Sequence, residues 1–216
     1  MHMSCVLKLC IAACATGQTL MLPVMVEQHE ILILLHRKTD TAFKMVIVQT
    51  DPTAGLQYHD SEASPPSIKF RTCLVLDNIP KKFALDDVFW MAVYKLTISA
   101  QPGDTDKFYG ILLPFLTGKP LEMSLIESRE ASPLREPQRS ATAYVQCIYE
   151  AVNYILSEQE VPQVQIDQVL TNACCAVQLS NSNAVLGAVG RMCAVCSHAA
   201  KRLAIHSSRH QRTANL

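Results

Sequence analysis

The segment EILILLHRKTDTAFKMVIVQT, residues 30–50, contains two apolar runs around a short polar gap. Both runs, 30–38 and 43–50, carry Ile, Leu or Val on both faces, which is typical of strands buried in a sheet. The gap TDTA is too short for a crossover and predicts an antiparallel hairpin. With a turn at Thr39–Asp40, residues whose numbers sum to about 79 face one another. This register places His29 beside Gln49 and Thr50.

The segments after this hairpin predict a loop and a third strand. DPTAGLQYHDSEASPPS, residues 51–67, is rich in Gly, Pro and Ser and predicts a long irregular loop. Tyr58 and His59 lie in it, where we expect solvated side chains, with the lining of a cleft as the alternative. SIKFRTCLVLDNI, residues 67–79, alternates apolar and polar side chains and predicts one strand with one buried face.

Helical periodicity begins near residue 84 and continues toward the C-terminus. Asp86 and Asp87 stand in the first turn of a helix whose apolar stripe includes Phe89, Trp90 and Tyr94. Asp104 can cap a further helix that Gly118 ends, and Pro120 starts a short one. The last third predicts helices over 143–158, 163–179 and 184–206. We therefore expect an α+β fold, in which an N-terminal antiparallel hairpin or small sheet precedes a mainly α-helical C-terminal region.

The predicted organisation has five parts. Residues 1–28 form an N-terminal segment of undetermined role, and residues 29–130 form the α+β region with the small sheet. A linker at 131–142 contains two prolines, residues 143–206 are helical, and residues 207–216 form a basic tail.

Composition and charge narrow the function classes. Lys plus Arg and Asp plus Glu both total 19, so no net field attracts nucleic acid or an anionic membrane, and we expect neither as a partner. No apolar run reaches the roughly 18 residues that span a bilayer. Nine cysteines without the spacings of a small secreted domain predict free thiols in a reducing, cytoplasmic compartment. A protein partner or protein substrate is compatible with these features.

Four residues form a candidate catalytic set. His29 at the start of one strand is a suitable general base, with Gln49 on the adjacent strand to orient its ring. The segment PQRSATAYVQCIYEAVNYIL, residues 137–156, begins as a loop containing Gln138 and continues as a helix containing Cys147. The alternative for His29 and Gln49 is a solvated pair at a sheet edge.

The order of these pieces resembles papain-like thiol hydrolases, in which a cysteine at a helix start meets a histidine and an amide or carboxylate on neighbouring strands. Because the histidine precedes the helix here, the chain is similar to circularly permuted members. GLQYH, FRTCLVLDNIP, LLPFLTGKPL and TAYVQCIYEAVNYIL also resemble a segment of very large eukaryotic proteins. The resemblance implies hydrolysis of protein or isopeptide substrates without a cofactor. Cys147 would be the nucleophile, His29 the base, Gln49 its orienter and Gln138 an oxyanion donor.

One departure from that pattern favours a different reading of Cys147. If Ser140 or Thr142 caps the helix, Cys147 lies about one turn beyond the first-turn position that lowers a thiol pKa. Its spacing from Ile148, Ala151 and Ile155 is also that of a buried apolar stripe. The chain could thus be a degenerate, inactive relative. The alternative function is a non-catalytic helical module that binds proteins.

The C-terminal third contains a possible metal pattern. Cys193 and Cys196 form a C-x-x-C pair on a predicted helix, with His198, Cys174 and Cys175 nearby in sequence. Structural zinc requires four ligands, and adjacent cysteines make an awkward second pair. Close packing of small side chains between helices explains the same residues, so we predict no metal site and no cofactor, and a zinc-stabilised helical domain is the third alternative.

Overall fold

A computed structural model describes residues 3–64, 67–129, 132–136, 143–168 and 170. The fold is α+β, as predicted: after one N-terminal helix, an antiparallel sheet forms from strands within residues 19–80, and most of the described helices follow it. Among these residues no helix combines the length and apolarity that crossing a bilayer requires. The candidate residue Gln138 and the zinc pattern of Cys174, Cys175, Cys193, Cys196 and His198 lie outside the described residues.

Seven strands are described. They are β1 (Thr19–Val26), β2 (His29–Arg37), β3 (Ala42–Gln49), β4 (Ser61–Ser64), β5 (Ser67–Arg71), β6 (Cys73–Pro80) and β7 (Leu134–Arg135). One sheet has the order β1-β2-β3-β6 and the other the order β4-β5-β7, and every pairing is antiparallel.

The described helices follow the same numbering. They are α1 (Met3–Ala13), α2 (Pro52–Tyr58), α3 (Lys81–Ala84), α4 (Asp87–Ser99), α5 (Asp104–Lys107), α6 (Leu113–Thr117), α7 (Leu121–Glu127) and α8 (Ala143–Glu158). A π-helical turn, Phe108–Leu112, joins α5 to α6. Asp86 caps α4 by accepting a hydrogen bond from the backbone N–H of Phe89 at 2.8 Å, and Gly118 ends α6 in the left-handed conformation.

The β2–β3 hairpin forms as predicted, but its register differs by one residue. Ile31 pairs with Gln49 and Arg37 with Phe43, so paired residues sum to 80 and the turn centres on Asp40. Side-chain hydrogen bonds fix this turn: Thr39 Oγ1 accepts from the backbone N–H of Ala42, and Arg37 binds Asp40. Because the register is shifted, the His29 ring lies against Asp51, whereas the predicted register placed it beside Gln49 and Thr50.

The predicted loop at 51–67 and the predicted third strand at 67–79 are wrong in detail. Asp51 Oδ1 accepts from the backbone N–H of Thr53 at 2.7 Å, and this cap with Pro52 starts α2. The predicted single strand breaks at Thr72, whose carbonyl accepts from the backbone N–H of Gln49. The residues before the break pair in the second sheet, and those after it join β3.

An apolar core of the described residues lies between the four-stranded sheet and helices α1, α4 and α6. The sheet contributes Ile31, Ile33, Leu35, Phe43, Met45, Ile47, Leu74, Leu76 and Ile79, and the helices contribute Ile11, Phe89, Trp90, Val93, Leu96, Leu113 and Leu116. Each fully buried side chain of this size contributes roughly 1.5–3 kcal/mol. Leu32, Leu34 and Val48, which alternate with the core residues, are buried as well, as expected for strands apolar on both faces.

The chain divides into two compact units, residues 1–151 and 152–216. The N-terminal segment, which had no predicted role, supplies α1 and the edge strand β1 of the first unit. The predicted linker at 131–142 contains β7. In the second unit the described residues are 152–168 and 170, which include the end of α8 and helical residues 163–168 and 170.

Candidate functional site

Three strands of the first sheet bring polar residues to the same end of that sheet. β2 begins at His29, β3 ends at Gln49 and β6 begins at Cys73, and antiparallel pairing places these three positions side by side. Helix α8 reaches this end through Cys147. We call this region the polar end; its buried polar side chains are those of Gln49, Thr50, His59, Thr72 and Glu150.

Cys147 is sealed within the polar end. Its exposed fraction is 0%, and its Sγ lies 3.4 Å from Thr50 Oγ1 and 3.7 Å from the carbonyl oxygen of Glu30. Burial raises the pKa of Cys147 to about 11, although Thr50 partly offsets this rise. A protonated thiol without solvent access is a poor nucleophile. The position of Cys147 therefore matches the buried stripe more closely than the catalytic pattern.

His29 has a different partner. Its Nδ1 lies 3.3 Å from Asp51 Oδ2, and both side chains are partly exposed. Burial raises the pKa of Asp51, but interactions with Thr53 and His29 outweigh it and leave that pKa below its usual value. Among the described residues, no hydrogen bond joins the His29 ring to Cys147. The described ion-pair partner of His29 is thus Asp51.

Among the described residues, Gln49 makes no hydrogen bond to the His29 ring. Its Oε1 accepts from the backbone N–H of Asp51 at 2.9 Å, and its fully buried Nε2 makes no hydrogen bond within the described part of the chain. Gln49 therefore positions the backbone of Asp51, and Asp51 in turn contacts His29. Since Gln138 lies outside the described residues, its role as oxyanion donor stays a prediction, as do the catalytic roles of Cys147, His29 and Gln49.

The sequence reading missed Glu150, a carboxylate in the interior of the polar end. Glu150 follows Cys147 by three positions on α8, so both point to the same side of that helix. Its carboxylate accepts from Thr72 Oγ1 at 3.3 Å and from Gln146 Nε2 at 3.4 Å, and Arg135 Nε lies 3.5 Å away. The sequence did contain a signal for it, because Glu150 is an ionisable residue within the apolar stripe of a predicted helix.

His59 is buried rather than solvated, contrary to the expectation for a loop. Its Nδ1–H donates to the carbonyl of Arg71 at 2.8 Å, so its Nε2 accepts from the Tyr109 hydroxyl at 3.2 Å. Burial lowers the pKa of His59 to about 4, with partial opposition from the bond to Arg71. The Tyr109 ring also stacks on Tyr58, with ring centroids 4.5 Å apart. This neutral, satisfied imidazole holds α2 and the π turn together.

Metal ligation has no support in the described ranges: no group of three or more His, Cys, Asp or Glu side chains there is arranged to hold a metal ion. Comparisons with protein-family models, with curated proteins and with solved structures gave no match to this chain.

Proposed function

We propose that this chain is a non-catalytic protein-interaction module that binds an amphipathic helix of a partner protein along the outer side of α4. The thiol-hydrolase function implied by the resemblance, with protein or isopeptide substrates, stays the second prediction. It has weaker support, because Cys147 is buried and protonated and makes no hydrogen bond to His29 among the described residues. The first function needs none of these groups.

The observation that carries the proposal is the composition of α4 on its two sides. The inner side packs into the core through Phe89, Trp90, Val93 and Leu96. The outer side presents four more large apolar residues at intervals of three, three and four, each between 38% and 72% exposed: Val88, Met91, Tyr94 and Ile98. A helix at a protein surface usually carries polar residues there. A helix apolar on both sides is typical of one that is covered on both sides.

Neighbouring helical segments show the same feature. The π turn, which packs against α4, exposes Ile111, and α6 exposes Phe115 four residues later. Helix α7 exposes Met123 and Ile126. Single exposed apolar residues are ordinary, but their recurrence at helical spacing on successive helices supports an interface.

The charges on α4 indicate the chemistry of the partner. Asp87 already pairs with Lys8 of α1 at 2.7 Å, and Asp86 is occupied as the helix cap. Lys95 is exposed, lies between Met91 and Ile98 in the sequence of α4, and has no ion-pair partner among the described residues. A partner helix with an apolar i, i+3, i+7 seam and a carboxylate facing Lys95 complements this surface.

A designed peptide tests the proposal. The probe is an amphipathic helical peptide of about 20 residues with a leucine seam and flanking glutamates, and its binding is followed by fluorescence anisotropy. We expect saturable binding that Ile98→Glu weakens at least roughly tenfold, about 1.4 kcal/mol. Val164→Glu is the matched control, because Val164 is 80% exposed and lies in the other unit, and it should leave binding unchanged.

Two further measurements complete this test. Replacing the glutamates of the peptide by lysines should weaken its binding to the native chain and strengthen its binding to the Lys95→Glu variant. The proposal fails if a scrambled peptide of equal composition binds as tightly, or if Ile98→Glu and Val164→Glu have equal effects. Sedimentation velocity of the free chain tests whether a second copy binds this surface. A dimer that Ile98→Glu disrupts would show that the surface binds another copy of the chain, and the proposal of a partner helix would then be wrong.

A further inference from the structure

Tyr94 differs from the other large residues on the outer side of α4 because it carries a hydroxyl group. It lies about one helical turn from Met91 and from Ile98, so its ring belongs to the same exposed row. Its exposed fraction is 38%, against 40% for Met91 and 64% for Ile98. A tyrosine in such a row offers a partner both an apolar ring and one polar atom.

The Tyr94 hydroxyl makes no hydrogen bond within the part of the chain that the structure describes. Other tyrosine hydroxyls do: that of Tyr58 donates to Asp106, and that of Tyr109 donates to His59 Nε2 at 3.2 Å. Those two hydroxyls are used to hold the fold together. The Tyr94 hydroxyl stays available to a group that approaches from outside the chain.

A partner helix that covers α4 removes this hydroxyl from water. A hydroxyl that leaves water without gaining an acceptor costs free energy on the scale of a lost hydrogen bond. A partner that is wholly apolar at this position is therefore penalised, whereas a partner with an acceptor there is not. The hydroxyl thus discriminates among helices that share the same apolar seam.

Lys95 indicates the chemical class of the acceptor. It follows Tyr94 directly, is exposed, and has no ion-pair partner among the described residues. Successive residues leave a helix about 100° apart, so the two side chains approach a group at the edge of the seam from different directions. A carboxylate has two acceptor oxygens and accepts from both donors. An amide or a hydroxyl would satisfy Tyr94 but would leave the charge of Lys95 unbalanced.

We propose that Tyr94 is the specificity-determining residue of the α4 surface: its hydroxyl donates to a glutamate or aspartate of the partner helix, and Lys95 binds the same carboxylate. This inference rests on the proposed function and adds to it the group that distinguishes an acidic partner helix from an apolar one. The ring of Tyr94 contacts either kind of helix, so the distinction depends on the hydroxyl.

A double-mutant cycle between the chain and a peptide series tests the inference. The probes are a helical peptide with a leucine seam and flanking glutamates, and derivatives in which one glutamate at a time is leucine. Tyr94→Phe removes only the hydroxyl oxygen and should weaken binding of the parent peptide roughly tenfold, because the carboxylate loses a donor. The derivative that lacks the contacting glutamate should bind the native chain and Tyr94→Phe equally well. Fluorescence anisotropy measures each affinity.

Thr97→Val is the matched control. It also removes a hydroxyl from α4, but that hydroxyl already donates to the carbonyl oxygen of Val93 at 3.0 Å, so its loss should affect all peptides alike. Peptides that Ile98→Glu weakens but that bind Tyr94→Phe as tightly as the native chain would overturn this inference and leave the proposed function in place. A Tyr94→Phe effect that is equal for every peptide would also overturn it. Absence of binding by the whole series would refute both.

Discussion

The polar end of the sheet and the outer side of α4 differ in what each offers a ligand. The polar end contains a thiol, an imidazole and a carboxylate in Cys147, His59 and Glu150, but these side chains are buried. The outer side of α4 is open to solvent, but Val88, Met91, Tyr94 and Ile98 carry no group for proton transfer or nucleophilic attack. Catalysis requires reactive groups that a substrate can reach. In this chain these three reactive side chains are buried and the exposed surface of α4 is unreactive, which favours binding over catalysis.

The largest expected effect distinguishes the two sides of α4. Phe89 is 1% exposed and Val88 is 72% exposed, although they are adjacent. Phe89→Ala should lower the free energy of unfolding by about 3–5 kcal/mol, because it removes transfer energy and leaves a cavity. Val88→Ala should change it by less than about 0.5 kcal/mol. Urea denaturation of both variants provides the measurement. Equal effects would show that the outer side is packed within the chain and is not a free binding surface.

A smaller effect concerns pH and the polar end. Because burial holds the pKa of His59 near 4 in the folded state, the unfolded chain binds more protons between pH 4 and about 6.5. Stability should therefore rise with pH across this window. The His59 contribution is complete above about pH 6.5 and is lost as the pH falls toward 4. The His59 pKa is about 4 in the folded state and about 6.5 in the unfolded state, and each pKa unit is worth about 1.36 kcal/mol. The free energy of unfolding should therefore fall by roughly 3 kcal/mol as the pH is lowered across this window.

His59→Gln serves as the control for this pH dependence. Glutamine does not titrate, so the difference in unfolding free energy between the native chain and the variant should shrink on acidification from pH 7 to pH 4. Chemical denaturation at several pH values measures it. Parallel curves for the two proteins would mean that His59 is accessible to protons in the folded state, and the polar end would then be open.

The sequence predicted those features that depend on local patterns. Apolar runs and a polar gap were sufficient for the β2–β3 hairpin, and periodicity was sufficient for α4 and α8. The register was missed by one residue because side-chain hydrogen bonds of Thr39 and Arg37 select the turn. The break at Thr72 was missed because a regular alternation of side chains carries no information on which partner strand each half finds.

The candidate site was less predictable than the fold. His29 and Cys147 belong to elements more than a hundred residues apart in sequence, so their separation depends on how the first unit packs. The resemblance to thiol hydrolases carried no information on solvent access to Cys147. The start of α2 could have been predicted from Asp51, since Asp followed by Pro is a frequent helix start. Asp51 also follows β3 directly, which makes it a candidate partner for His29 at the start of β2.

Thiol labelling with site assignment by mass spectrometry tests the central claim most directly. Cys10 on α1 is exposed and serves as the internal reference for Cys147. A pKa about two units above the ordinary value reduces the thiolate fraction of Cys147 roughly a hundredfold at neutral pH, and burial slows the reaction further. We predict that iodoacetamide modifies Cys10 at least a hundredfold faster, and that His29→Ala leaves the Cys147 rate unchanged. Rapid, selective labelling of Cys147 that disappears in His29→Ala would contradict the account and restore the thiol-hydrolase function.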